Sequence, residues 1–182
     1  MTNYFEQDLK KAKDFHGHVC QGIIFGSRIA RAGLNYLSIN DPAENRDFTV
    51  FVEADRCIAD AVCAVTDCSL GKRRLRWIDY GKMAATFIDM NTNKGIRIVV
   101  TSKLHVPKDG DIVSFWREVP NNELFTFEPV SVDLKEEDLP GKPKRRVQCE
   151  KCGEFVMDSR DVNVDGSVLC KACANGAYYN KL

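Results

Sequence analysis

The chain closes on two Cys-x-x-Cys pairs, Cys149/Cys152 and Cys170/Cys173, with seventeen residues between them. Nothing else in the sequence constrains its fold as strongly. Residues 147–182 follow a stretch rich in proline and charge, and a unit of about 36 residues cannot bury enough apolar surface to fold without a staple. Four thiolates at this spacing supply one, because a two-residue gap lets a tight turn aim both sulfurs of a pair at a single ion, and four of them complete the tetrahedral shell of structural zinc. Gly153 permits the turn after the first pair. Asp165-Gly166, flanked by Val162, Val164, Val168 and Leu169, signals a hairpin. The segment CKACANGAYYN reads as a helix whose N-terminal dipole favours thiolate charge at the second pair.

A knuckle, a hairpin and a helix bearing the second pair resemble a treble-clef zinc finger. Lys144, Arg145, Arg146 and Lys151 give this unit a basic edge, diluted by Glu150, Glu154, Asp158 and Asp161. The whole chain carries 26 basic and 26 acidic side chains, which argues against a broad phosphate-tracking surface. A structural role for the zinc therefore ranks ahead of nucleic-acid recognition.

Eight cysteines in 182 residues are expected to be metal ligands or reactive thiols rather than disulfides. The N-terminus, MTNYFEQDLKKAKDF, is polar and amphipathic and lacks the apolar stretch of an export signal. No apolar run approaches the roughly 20 residues of a membrane span, so the expectation is a soluble cytoplasmic protein with no membrane partner.

Upstream of the finger the pattern alternates between helix and strand. Residues 4–14 suit a helix broken at Gly17. Residues 20–37 suit another, with Ile23, Ala30, Leu34 and Leu37 on one stripe and close packing to justify its glycines at 22, 26 and 33. FTVFVEA (48–54) reads as a strand, Ile58–Thr66 as a helix, and Leu75–Tyr80 and Ala84–Met90 as short strands. Asn91–Gly95 signals a hairpin into GIRIVVTSKL, and Asp109 or Asp111 would cap a helix through Val119. The order predicts an α+β fold, a mixed helix and antiparallel-sheet core over 1–130 with a His/Cys cavity. A linker over 131–146 leads to the four-cysteine zinc finger over 147–182.

The core's chemistry concentrates in Asp14-Phe15-His16-Gly17-His18-Val19-Cys20. Imidazoles and a thiolate at alternating positions would share one side of an extended segment, and together they suit zinc or another borderline metal. Cys57 precedes the helix IADAVCAVT, and the N-terminal ends of two helices would depress the pKa of both Cys20 and Cys57. Expected ligands are His18, Cys20 and Cys57, with His16 as a fourth ligand or a support, leaving an open position where a metal could activate water or polarise a carbonyl. Asp60, one turn on, would orient an imidazole or accept a proton. Cys20, Cys57 and Asp60 are thus the candidate catalytic groups, and Cys20 with Cys57 could instead cycle to a disulfide. Cys68 could line the same cavity, whereas Cys63 suits the helix interior and His105 a structural role. Gly71-Lys72 and Gly81-Lys82 lack the spacing of a P-loop, but Lys72, Arg73, Arg74 and Lys82 could form a rim for a small anionic ligand.

The runs FHGHVCQGIIFGSRIA and RCIADAVCAVTDCSLGKRRLRWIDYGKMAATF, together with the terminal cysteine pairs, resemble the family of the E-type subunit of formylmethanofuran dehydrogenase over about residues 10–105. The resemblance implies an α+β core with a metal or ligand cavity, often in a dimer, with a zinc-finger appendage. It also implies a cytoplasmic setting in archaea or anaerobic bacteria and an association with methanogenesis-related formylmethanofuran redox chemistry. Its motifs fall on His16, His18, Cys20, Cys57, Asp60, Cys68, Lys72, Tyr80 and Lys82. Gln21 stands where the family pattern has proline, and Cys63 where it has glutamine.

The leading functional expectation is a metal-binding protein auxiliary to one-carbon and redox metabolism, with structural zinc in the finger and a second transition metal, zinc first, in the core. Whether the chain is itself an enzyme is left open. The alternative is a zinc-dependent regulatory module that binds nucleic acid or protein; a third reading makes both units structural. A homodimer with exchanged domains and an enzyme-complex partner are the expected assemblies.

Overall fold

In the computed structural model, which describes residues 4–182, the chain divides into two compact units, one ending at Leu134 and the other spanning Lys135–Leu182. The larger unit contains helices α1 (Tyr4–His16), α2 (Gln21–Tyr36), α3 (Cys57–Thr66), α4 (Ile112–Glu118) and α5 (Asn121–Leu124). Its strands are β1 (Phe48–Val52), β2 (Leu75–Trp77), β3 (Ala84–Asp89), β4 (Lys94–Val100) and β5 (Phe125–Ser131), in the sheet order β2-β1-β3-β4-β5. The α+β architecture expected from the sequence is the one observed. No helix among the described residues is long and apolar enough to cross a membrane.

All pairings in this sheet are antiparallel except that of β2 with β1, where Val50, Phe51 and Val52 stand opposite Leu75, Arg76 and Trp77. A parallel pair needs a crossover, and α3 with the turn after it provides one. The β3–β4 hairpin turns at Asp89, whose Oδ1 accepts the backbone N–H groups of Asn91 and Thr92, while Asn93 takes the left-handed conformation that asparagine tolerates.

Helix α2 is more deeply embedded than a single stripe. Ile23, Ile24, Phe25, Ile29, Ala30 and Leu34 are all buried, because α1, α3 and the sheet enclose it on several sides. The glycines make this closeness feasible. A Cβ on Gly26 would lie 2.6 Å from the Cβ of Ala61, and one on Gly33 would lie 2.3 Å from the ring of Phe87, distances that real Cβ atoms do not adopt. Helix α1 is fastened to α2 by Asp8, 2% exposed, whose two carboxylate oxygens each accept a 2.7 Å bond from Arg31. Asp111 caps α4, its side chain accepting the Ser114 N–H at 2.7 Å.

Across the sheet, Arg97 on β4 donates to both oxygens of Glu53, at 2.6 and 2.8 Å, and to Glu128 on β5 at 2.6 Å. Those carboxylates hold the guanidinium pKa well above its ordinary value.

The smaller unit contains a 3-10 turn (Glu136–Asp138), strands β6 (Arg146–Gln148), β7 (Phe155–Met157), β8 (Val162–Val164) and β9 (Ser167–Leu169), and the short helix α6 (Lys171–Asn175). Two hairpins, β6–β7 and β8–β9, replace the apolar core that a unit of this size cannot build. The second turns at Asp165-Gly166, both in the left-handed region. The helix is shorter than CKACANGAYYN suggests because Gly176, at φ 95°, ends it.

Candidate metal centres

The finger's four thiols converge as their spacing requires. The Sγ atoms of Cys149, Cys152, Cys170 and Cys173 all lie within 4.8 Å of one another. The knuckle is a tight turn in which the Gly153 N–H donates to the Cys149 carbonyl at 2.8 Å, with Gly153 at φ 76°. At the second pair, Cys170 caps α6 and its Sγ accepts from the Cys173 N–H at 3.4 Å. Backbone N–H groups of Cys170 and Cys152 pull the Cys149 thiol down to about 6, whereas the Cys170 thiol and burial push Cys173 up to about 12. Four sulfurs this close cannot all ionise without a cation among them, and a dication bound by thiolates removes that conflict. The residues fit structural zinc.

Three of the four cations of the basic edge, Lys144, Arg145 and Arg146, have partners within this unit. Lys144 pairs with Glu136 at 2.7 Å, Arg145 with Asp161 at 2.9 Å and Arg160 with Asp138 at 2.8 Å, while Arg146 lies 4.0 Å over the ring of Phe155.

In the core a second cluster joins three elements. His16 is the last residue of α1, Cys20 caps α2, and Cys57 opens α3. One ring nitrogen of His16 and the two Sγ atoms all lie within 4.8 Å of one another. The segment between His16 and Cys20 is not extended, as alternation would require. Gly17, at φ 97°, closes α1 with its N–H on the Lys13 carbonyl at 2.7 Å, and this reversal carries the chain directly into α2. The trio therefore contains His16, while His18 stands beside it, exposed, with its ring centre 4.6 Å from that of His16.

Two observations test whether this trio suits a metal. Asp60, on the first turn of α3, holds Nδ1 of His16 at 2.7 Å, so in the neutral ring Nδ1 carries the proton and Nε2 keeps its lone pair. That Nε2 atom is buried and has no hydrogen-bond partner, an arrangement that is costly unless a ligand takes it up. A carboxylate behind an imidazole whose other nitrogen faces two thiols is the usual support of a metal-bound histidine. The space is confined by Gly22: a Cβ there would lie 3.0 Å from the Cys57 Cβ and 3.7 Å from each sulfur. The residues fit a borderline metal such as zinc with one position left open.

The pKa of Cys57 moves opposite to the helix-dipole expectation. Burial, followed by the hydrogen bond to the Cys20 thiol, raises it. Desolvation of the charged form outweighs the dipole at the first turn of a helix this short.

The remaining candidates lie apart from the trio. Lys72 pairs with Asp67 at 2.7 Å in the turn after α3. Tyr80 is exposed, with the Lys82 ammonium 5.6 Å over its ring. Cys68 is fully buried and lines a neighbouring cleft with Cys63, not the metal cluster, and His105 is exposed. Asp55 and Arg56 escaped notice in the sequence although they directly precede Cys57. They line, with His16, Cys57 and Asp60, a cleft of about 400 Å³ at the edge of the trio.

A mixed sheet backed by helices, carrying a His/Cys cluster and followed by a four-cysteine unit, defines an α+β metal-binding protein with a zinc finger. The chain belongs to the FmdE family, described as the molybdenum formylmethanofuran dehydrogenase operon family, whose model matches residues 15–130. Residues 143–179 match the prokaryotic dksA/traR C4-type zinc finger. A protein of Archaeoglobus fulgidus described as a probable S-adenosyl-L-methionine-binding protein is 32% identical over 94% of this chain and 53% of its own length. The chain thus spans about half the length of that relative. The crystal structure of an FmdE-like protein of the tungsten formylmethanofuran dehydrogenase type, from Syntrophus aciditrophicus, covers 97% of this chain and 95% of its own, with a TM-score of 0.65. At 23% identity, that likeness shows the fold.

Proposed function

We propose that the core domain binds a transition metal, zinc in the first instance, through His16 Nε2, Cys20 Sγ and Cys57 Sγ. In this reading the protein serves as a metal-bearing accessory to one-carbon and redox chemistry, and the finger is a structural zinc unit. The observation that carries the reading is the buried, partnerless Nε2 of His16, turned toward its role by Asp60 on Nδ1. When bound, the metal supplies Lewis acidity at its open position. The chain's own part is to fix the imidazole tautomer through Asp60 and to exclude bulk from the cluster through Gly22. The internal ion pairing of Lys144, Arg145 and Arg160 weighs against the nucleic-acid alternative, which needs free cations to meet phosphate.

Metal per chain, measured by mass spectrometry on protein purified without oxygen, tests the reading. Two metals in the wild type falling to one in Cys20→Ala/Cys57→Ala are expected, and one metal in both proteins would overturn it. A homodimer with exchanged domains belongs to the same proposal; a monomer mass by light scattering at micromolar concentration would remove it.

A further inference from the structure

Beside the His16 cluster opens a second cleft of about 470 Å³ whose lining is largely apolar. Its floor is the end of β1 and its partner β2, where Val52 stands opposite Trp77. One wall is α3, contributing Asp60, and another is Phe15 at the end of α1; the turn carrying Leu70 completes the enclosure. Three large apolar side chains around this cleft are left open to solvent, Phe15 at 59%, Leu70 at 65% and Trp77 at 49%. Scattered singly such residues would need no explanation, but grouped around one concavity they form a surface shaped to be covered.

The charge of the lining is one-sided. Asp55 and Asp60 are its ionisable acids, and no lysine or arginine is among the described residues that line it. Arg56 lines the neighbouring cleft at His16, and Lys72, on the turn at the other side, is paired with Asp67 at 2.7 Å. Asp60 joins this cleft to the metal cluster, since the same carboxylate holds His16. A ligand with an apolar, planar body satisfies Trp77, Leu70 and Phe15, and a positive group satisfies Asp55, the outer face of Asp60 and the aromatic faces together.

We infer that this cleft binds a small organic cation with a planar apolar body, held over Trp77 with its charge toward Asp55 and Asp60. The inference names the ligand class of the centre proposed above, and it rests on that reading only for the ligand's relation to the metal. A neutral or anionic analogue of the same body would leave Asp55 without a counter-charge, Asp60 being already bonded to His16, and would bind more weakly.

Trp77 is its own reporter. The chain has two tryptophans, and Trp116 is fully buried with no partner for its indole N–H, so Trp116→Phe leaves Trp77 as the sole source of indole fluorescence. Trimethylphenylammonium is titrated into this variant, with benzoate as the anionic control. The expected result is saturable quenching by the cation, weakened about tenfold in Asp55→Asn, with none by benzoate. Should Trp116→Phe not fold, calorimetric titration of the wild-type protein makes the same comparison. Equal response to cation and anion, or no saturation by either, overturns the inference. The titration is repeated in Cys20→Ala/Cys57→Ala. Cation binding that survives there, alongside an unchanged metal count, would sink the metal reading while upholding the cleft.

Discussion

Asp60 Oδ2 lies 2.7 Å from Nδ1 of His16, across 44 residues of sequence. The carboxylate is partly exposed, at 45%, and the imidazole mostly enclosed, at 16%, so the acid fixes the ring's tautomer from the rim of the cluster while the other nitrogen faces inward. Asp60→Asn keeps the shape but weakens this orientation. Metal affinity at the core site should fall roughly 10- to 100-fold with the finger's metal retained, as measured by competition against a chromophoric chelator.

The finger should depend on a bound metal to fold. Cys170→Ser, or prolonged chelation, should unfold residues 147–182 while the core keeps its structure, because the two hairpins alone bury too little. Amide spectra of the full chain would show collapse of the finger's signals beside unchanged core signals. Equal loss in both units would contradict this.

Buried and exposed ion pairs should differ sharply in weight. Removing Asp8 leaves Arg31, 15% exposed, without its bidentate partner, and Asp8→Ala should cost about 3–5 kcal/mol. Asp14→Ala breaks an exposed pair with Lys10 and should cost no more than about 0.5 kcal/mol. Urea unfolding of both variants gives the comparison.

Cys68 is fully buried, and burial pushes its thiol up from 9.0 to about 11. It should resist alkylation at pH 8 in the folded protein and react once the chain is unfolded. The sign for stability follows from the raised value: the neutral thiol is favoured by folding, so its contribution is intact below pH 9 and lost as pH rises toward 11. Cys68→Ala should flatten that part of the stability profile, read by thermal melts between about pH 8 and 11.

Phe87 packs against the bare face of Gly33, where a Cβ would lie 2.3 Å from the ring. Gly33→Ala gains helix propensity but forces the helix from the sheet, with a net cost of about 1–3 kcal/mol. A melting temperature at or above that of the wild type would show that the contact yields more easily than this packing allows.

Local chemistry made much of this protein legible from its residues alone. The four-cysteine unit is defined by turns of a few residues, so spacing sufficed for Cys149, Cys152, Cys170 and Cys173. Helix and hairpin ends followed from Gly17, Asp111 and Asp165-Gly166, each acting on its own neighbours. The same logic brought out His16, His18, Cys20, Cys57 and Asp60 as metal-capable groups, yet it could not say which would meet. Alternation suggested an extended strand, while the left-handed turn at Gly17 instead divided the motif between the end of one helix and the cap of the next. The approach of α2 to α3 at Gly26 and Ala61 gathered His16, Cys20 and Cys57 and placed Asp60 behind the imidazole. Tertiary packing likewise decided the Asp8–Arg31 clasp, the Glu53–Arg97–Glu128 chain and the raised pKa of Cys57. Each depends on partners remote in sequence or on exclusion of water, and neither exists until the helices close on the sheet.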